Sequence, residues 1–273
     1  MTCERSGGQD LKVVLGGPQE AADAPRTPSQ FLALAAGEVI GYAGVDEGQD
    51  AEVCGMVHPE HRRGGVGAAL LDSALKAAAD TGRKTVLVIC EDAAPVAIDW
   101  LGRRGGVLDS SELRMVLRLE GAGASSRDTM ARGVALRKST AADRPVLRHL
   151  LGEGFPDMDD EVLDLLLGRH DAVEEQSLIA WDGERAVGTL RLIDTPERSM
   201  VYGLVIGSTF RGQGHGGAAM SAALDLMRGR GVREVSLEVL PDNAPAVRLY
   251  TRLGFKTVTT YRYLRVSTRD VPD

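Results

Sequence analysis

The sequence predicts an α/β (α+β) protein of two similar domains, and three observations carry that prediction. The phrase Arg-x-x-Gly-x-Gly occurs twice, as Arg62-Arg63-Gly64-Gly65-Val66-Gly67 and as Arg211-Gly212-Gln213-Gly214-His215-Gly216, with the leading arginines 149 positions apart. Each copy follows an apolar run (Met56-Val57, then Leu204-Val205-Ile206) and precedes an Ala/Leu/Met-rich helical stretch, Ala68 to Ala79 and Ala218 to Met227. The chain has 273 residues, of which 43% are apolar, enough for two domains with a core each.

Taken in order, residues 1–30 are punctuated by Gly and Pro, with Leu11 to Leu15 as a short candidate strand. Phe31 to Ala36 and Val39 to Val45 read as strands joined at Gly37-Glu38, and Val53 to Val57 as a third. The first glycine loop and its helix follow, then a buried strand from Thr85 to Ile89, a short helix from Pro95 to Arg103 and a closing strand from Leu113 to Leu119. Residues 120–132 are small and polar without periodicity and read as a linker. The second half opens at Val134 to Lys138 and continues with a helix from Thr140, its cap, to Leu151. A second helix spans Glu161 to Leu167, and a hairpin of Leu178 to Trp181 and Ala186 to Ile193 turns at Asp182-Gly183. Then come Met200 to Ile206, the second glycine loop and its helix, a strand Val235 to Leu240, a helix Ala244 to Leu253 and closing strand residues Lys256 to Val266. The expected domains are therefore 1–119 and 133–273. The first lacks room for the strand and two helices that precede the hairpin of the second, so its front is truncated.

The repeated device suits phosphate. The first turn of a helix leaves backbone N–H groups without partners, and the macrodipole adds positive potential there. Glycines let an anion approach, and the arginine supplies a planar fork of donors. A dinucleotide fingerprint is a poorer reading of Gly212, Gly214 and Gly217, although Glu238 stands near its acidic position. The first copy has Leu70 where the third glycine belongs, and residues 207–210 separate the second loop from its strand. No Gly-Lys-Ser/Thr occurs, which excludes a Walker loop.

Net charge is −7, which argues against general nucleic-acid or anionic-membrane binding. No apolar run reaches the length of a membrane span, and no signal peptide is evident, so the expected location is the cytoplasm. The cysteines Cys3, Cys54 and Cys90 show no pairing or metal spacing, and no metal is expected.

These residues resemble the GNAT N-acetyltransferases. Arg-x-x-Gly-x-Gly after a strand is similar to that family's acetyl-CoA signature, and residues 243–255 (Asn-Ala-Pro-Ala-Val-Arg-Leu-Tyr-Thr-Arg-Leu-Gly-Phe) resemble its Asn-x-x-Ala-x-x-x-Tyr-x-x-x-Gly-Phe segment. The resemblance covers nearly the whole chain, and the tandem layout is similar to that of mycothiol synthases and other bacterial tandem acetyltransferases. It implies two mixed, twisted sheets with helices on both faces, and acetyl-CoA as cosubstrate. Strands Met200 to Ile206 and Val235 to Leu240 would splay and admit the pantetheine arm. Leu204, Val205 and Ile206 would bond its amides. Arg211, Gly212, Gln213, Gly214, His215, Gly216 and Gly217 would take the diphosphate, with the His215 ring packed behind the loop. Val57, Arg62, Arg63, Gly64, Gly65, Val66 and Gly67 would form a possible second cofactor site.

Acetylation of an amine needs a base for the ammonium proton and a donor for the departing thiolate. The resemblance assigns the donor to Tyr250 and the base to Glu238, with Tyr202 an alternative base. Some relatives carry the base near position 200, where this chain has Met200. Asn243 would hold the cofactor or cap its helix. Aligning Ala94-Pro95 with Ala244-Pro245 sets Trp100 opposite Tyr250, Val88 opposite Glu238 and Ala93 opposite Asn243, so the first domain reads as a degenerate copy, structural or regulatory. Phe155, Asp157 and Met158, with Asp159 and Asp160, are candidates to meet a small-molecule or peptide amine. A non-catalytic acyl-CoA sensor, a mycothiol synthase and an aminoglycoside-type acetyltransferase stay open as alternatives.

Overall fold

The computed structural model describes residues 30–47, 50–119, 133–156, 175–195 and 197–269, together with Met158, Leu163, Asp164 and Leu167. The candidate strand at Leu11 to Leu15, the linker at 120–132 and the acids Asp157, Asp159 and Asp160 lie outside them. Two compact units result. One contains the described residues up to Ser111 and those from Thr260 onward, and the other is Glu112–Thr259.

In the first unit, β1 (Gln30–Ala35) and β2 (Glu38–Glu47) form a hairpin. Its turn is Ala36-Gly37, one residue earlier than the sequence suggests, with positive φ at both positions (51° and 86°), the geometry whose twist suits paired strands. β2 pairs antiparallel with β3 (Ala51–Val57), and β3 pairs parallel with β4 (Thr85–Glu91) over Glu52↔Leu87 and Val53↔Val88. Helix α1 (Val66–Asp80) buries Leu70, Leu71, Ala74, Leu75 and Ala78, one apolar stripe at helical spacing. Together with Val53, Val86 and Leu101 of α2 (Pro95–Arg103) they form the unit's core.

In the second unit, β6 (Ala135–Lys138), β7 (Glu175–Asp182), β8 (Arg185–Asp194) and β9 (Arg198–Ile206) run antiparallel in sequence order, and β10 (Glu234–Val239) lies parallel to β9. Helix α3 (Arg144–Gly154) starts after a 3-10 turn in which the Asp143 carboxylate accepts from the Thr140 N–H and hydroxyl, both at 2.8 Å. It covers one face of the sheet through Leu147 and Leu151, packed on Ile179 and Val205 with Leu163 and Leu167. Of the expected helix at Glu161 to Leu167, the described residues Leu163, Asp164 and Leu167 are helical. The opposite face carries α4 (His215–Gly229) and α5 (Ala244–Arg252), which bury Ala219, Met220, Ala223, Met227 and Tyr250 against Leu190, Leu192, Val201, Val235 and Leu237. Both units thus have mixed strand pairing, and the second carries helices on both faces of its strands, as in a GNAT fold.

The units do not follow the halves of the sequence. β5 (Val107–Arg118) pairs through Leu113–Arg118 with β10, inside the second unit, and β11 (Lys256–Ser267) pairs through Tyr261–Ser267 with β4, inside the first. Each unit therefore includes a strand segment taken from the other half of the sequence. The boundaries expected at 119 and 133 do not coincide with those of the compact units, because alternation fixes which face of a strand is buried and leaves its partner open.

Helix α3 approaches β9 closely enough to require a glycine. A Cβ on Gly154 would lie 2.3 Å from Val205 Cγ2. Gly154→Ala is expected to cost about 1–3 kcal/mol by overpacking, read as a lower denaturant midpoint at unchanged slope.

Candidate functional site

The second unit's sheet opens into a fork. The β9–β10 ladder holds from Arg198↔Glu234 to Val201↔Leu237 and ends there. β9 then kinks at Gly203, whose φ is 55°, and shifts register against β8. From Tyr202 onward β9 is paired to β8 alone, so Leu204, Val205 and Ile206 lie beyond the last rung shared with β10. Phe155, just past α3, lies against the kink: a Cβ at Gly203 would stand 3.8 Å from its ring. Met158 instead packs on the α3 cluster.

The glycine loop closes the fork's end. Gly212 and Gly214 adopt φ of 71° and 89°, values that disfavour side chains, and α4 begins directly after Gly214. The first helical bond runs from Ala218 N–H to Gly214 O, so Gly216 and Gly217 carry first-turn amides with no acceptor inside the helix. Such an arrangement can hold an anion.

Arg211 departs from its expected role. Its Nε donates to Ile206 O at 2.9 Å and its Nη2 to Glu153 O at 3.1 Å. The guanidinium ties the loop to the strand before it and to the end of α3. Arg62 repeats the bond in the first unit, Nε to Val57 O at 3.0 Å. The arginine is a brace, and what the loop offers an anion is mainly amides.

Sequence reasoning missed the rest of that brace. The Glu153 carboxylate accepts from Ser208 N–H at 2.6 Å and from Ser208 Oγ at 3.1 Å. The backbone bond to Ser208, then its hydroxyl, holds the Glu153 carboxyl below the usual carboxylate range. A group depressed in this way stabilises the fold above its unfolded value, and the contribution fades as pH falls through the folded one. Glu153→Ala should raise the KM for acetyl-CoA several-fold with little change in kcat, measured by thiol release. A single glutamate 55 positions away leaves no local pattern to read.

His215 is fully buried. Nδ1 lies 3.1 Å from Phe210 O and Nε2 3.1 Å from Asp182 Oδ2, with the Phe210 ring edge-on. It packs behind the loop, as expected, and anchors the start of α4 to β7.

Asn243 caps α5, its Oδ1 accepting from Ala246 N–H at 3.2 Å. Tyr250 is 7% exposed and sits in the main core, its ring 5.9 Å from that of Phe255. Burial pushes its phenol up from 10 to about 12. Glu238 is half-buried on β10, in register with Arg114 of β5.

The first unit repeats this frame with different residues. The offset of 149 holds for both glycine-loop helices, for β4 and β10, and for α2 and α5. The bond from Phe255 N–H to Tyr250 O has its counterpart from Gly106 N–H to Leu101 O. Leu101, Ile89 and Ala94 therefore match Tyr250, Glu238 and Asn243, one position later than Trp100, Val88 and Ala93. The shift arises because Pro95 is the first residue of its helix while Pro245 is the second. Neither leucine nor isoleucine can move a proton, so the donor and base that the resemblance assigns to Tyr250 and Glu238 have no counterpart in this copy. Gly64, Gly65, Val66 and Gly67 keep the loop shape, and Arg63 takes a φ of 68° where the second copy has Gly212.

Burial pushes the Cys90 thiol to about 11, which keeps it protonated at neutral pH. Among the described residues no His, Cys, Asp or Glu cluster is arranged to hold a metal, and no helix is long and apolar enough to cross a membrane.

The chain matches the Acetyltransferase (GNAT) family over residues 10–105 and 144–255. A protein of Actinosynnema mirum named mycothiol acetyltransferase is 33% identical over 242 residues, 83% of this chain and 80% of that one. One of the same name from Clavibacter michiganensis subsp. michiganensis is 34% identical over 233 residues, 77% and 70% of the two chains. Among solved structures, a GCN5-related N-acetyltransferase from Sphaerobacter thermophilus superimposes with a TM-score of 0.71 at 22% identity, covering 93% of this chain and 84% of its own. A tandem GNAT protein from the clavulanic acid biosynthesis pathway gives 0.65 at 17% identity, covering 90% and 85%. At such identities these two likenesses concern the fold.

Proposed function

Because the chain belongs to the GNAT family of acetyl-CoA-dependent acetyltransferases, we propose that its second unit transfers acetyl from acetyl-CoA directly to a primary amine, with the first half serving as scaffold. One observation carries the reading: both units part their parallel strands beside a glycine loop, the ladders ending at Val53↔Val88 and Val201↔Leu237, and the second adds Tyr250 and Glu238 where the first has Leu101 and Ile89.

In this proposal the diphosphate rests on amides of residues 212–217 and the pantetheine arm lies along Leu204 to Ile206 between β9 and β10. Asn243 acts on the cofactor only through the helix it caps. Glu238 takes the ammonium proton, directly or through water, and the free amine attacks the thioester carbonyl. The carbon–sulfur bond then breaks with its electron pair on sulfur, and the second proton of the attacking nitrogen passes through water to the departing thiolate, leaving a neutral amide and the free thiol. The Tyr250 phenol, held near 12, is a poor proton donor to a thiol of about 8.5, since full transfer runs uphill by about 5 kcal/mol. Its role is to donate a hydrogen bond to the developing thiolate, not to surrender the proton. Phe155 and the residues around Asp157 and Met158 would border the acceptor.

The first acceptor to test is the amine substrate of the mycothiol acetyltransferases, given the relatives' names. Met200, where some relatives are expected to keep a base, argues for including other amines. The experiment is amine-dependent thiol release from acetyl-CoA across that substrate, aminoglycosides and peptide N-termini. Release above the no-amine rate supports the enzyme reading. Tight acetyl-CoA binding with no release from any amine would instead make the chain an acyl-CoA sensor.

A further inference from the structure

Register partners share a face of a sheet. On β10, Val235, Leu237 and Val239 enter the main core, so Ser236 and Glu238 point to the opposite face. On β5, Leu113, Met115 and Leu117 pack on the same core, which leaves Glu112, Arg114 and Val116 opposite. The register sets Glu238 against Arg114 and Ser236 against Val116. The β9–β10 ladder ends at Val201↔Leu237, so Glu238 is the first residue of that face beyond the last rung, at the mouth of the fork. A carboxylate and a guanidinium, both half-buried, thus stand directly across from each other where the strands part.

The first unit has the same scaffold without the charges. At the matching positions Ile89 of β4 is in register with Tyr263 of β11, and both belong to an apolar cluster with Leu87 and Tyr261. An opposite-charge pair is therefore not what this fold needs to join these two strands. It occurs in the unit that has Tyr250 and is missing from the unit that has Leu101.

We propose that Arg114 is a positioning residue for acetyl transfer, holding the Glu238 carboxylate at the mouth of the fork. This rests on the assignment of Glu238 as base. It also gives the first half of the sequence a part in the reaction, because β5 comes from that half while pairing inside the second unit.

The test is a double-mutant cycle in kcat/KM for an acetylated amine at saturating acetyl-CoA. Arg114→Met should lower kcat/KM tenfold or more in the wild-type background and cause no further loss in Glu238→Gln. Its acid limb should move to higher pH, since losing a neighbouring cation disfavours the carboxylate, while Arg114→Lys should keep the limb near its wild-type position. A merely structural arginine would lower melting temperature and leave the limb in place. Equal losses in both backgrounds, or no loss in the first, would overturn the proposal. Full activity in Glu238→Gln alone would remove the base assignment and this proposal with it, an outcome distinct from the other two. Should Arg114→Met fail to fold, Arg114→Gln in the same two backgrounds carries the cycle.

Discussion

Tyr250→Phe is expected to lower kcat on the order of a hundredfold while acetyl-CoA binding stays near wild type. The reason is one of timing. The phenol has little to offer the neutral thioester and much to offer the thiolate that forms as the carbon–sulfur bond breaks, and a donor aimed at developing charge in a dry site is worth about 10²–10³ in rate. The ring itself remains, so its packing on Phe255 in the main core is kept. The same variant carries a stability signature. The folded-state value is raised from 10 to about 12 by burial. A raised value contributes stability fully below the unfolded value and loses it as pH climbs through the folded one, so the wild type should lose about 2–3 kcal/mol between pH 10 and 12 from this group. Phenylalanine does not ionise, and the Tyr250→Phe denaturation midpoint should fall less steeply over that window. Full activity in the variant would remove Tyr250 from the mechanism. An unchanged alkaline slope would show that the phenol is not buried as described.

Gly214→Val and Gly65→Val should destabilise alike and differ in activity. Both positions lie in the left-handed region, at φ of 89° and 85°, and both immediately precede a helix. A β-branched residue held there costs on the order of 1–3 kcal/mol. In the second unit the strain would also displace the amides proposed to hold the diphosphate, so the KM for acetyl-CoA should rise tenfold or more. In the first unit turnover should persist. Arg63 makes the converse case: it already sits at 68° without a glycine's freedom, and Arg63→Gly should be stability-neutral or gain up to about 1 kcal/mol. Thiol-release kinetics and urea melts on the three variants check these statements. Loss of activity in Gly65→Val equal to that in Gly214→Val would mean that the first loop takes part in turnover.

The fold is legible in the sequence wherever periodicity and punctuation agree. The α1 and α4 stripes and the strand Thr85 to Ile89 fall where the pattern sets them, and the hairpin expected at Asp182-Gly183 turns one residue later, at Gly183-Glu184. The glycine loops are legible because a left-handed turn demands a residue type that shows in the sequence. The exchange of β5 and β11 is not, since an alternating strand looks the same whichever sheet it joins. The equivalence of Leu101 with Tyr250 is obscured by a proline that serves as first residue of one helix and second of the other. Arg211 stands out in the sequence and its direction does not: a guanidinium beside a glycine loop suits phosphate by its chemistry, and only the backbone path reveals Ile206 O and Glu153 O within its reach. Long-range partners such as Glu153 with Ser208, or His215 with Asp182, carry no signal in spacing.

In the proposed function, amides of residues 212–217, with the open side of β9, hold acetyl-CoA in a unit that can turn it over. A crystal structure with acetyl-CoA bound tests it most directly. The expected result is the diphosphate on those amides, the pantetheine between β9 and β10, and the thioester sulfur within hydrogen-bonding distance of the Tyr250 hydroxyl. A diphosphate seated away from this loop, or a thioester remote from Tyr250, would contradict it.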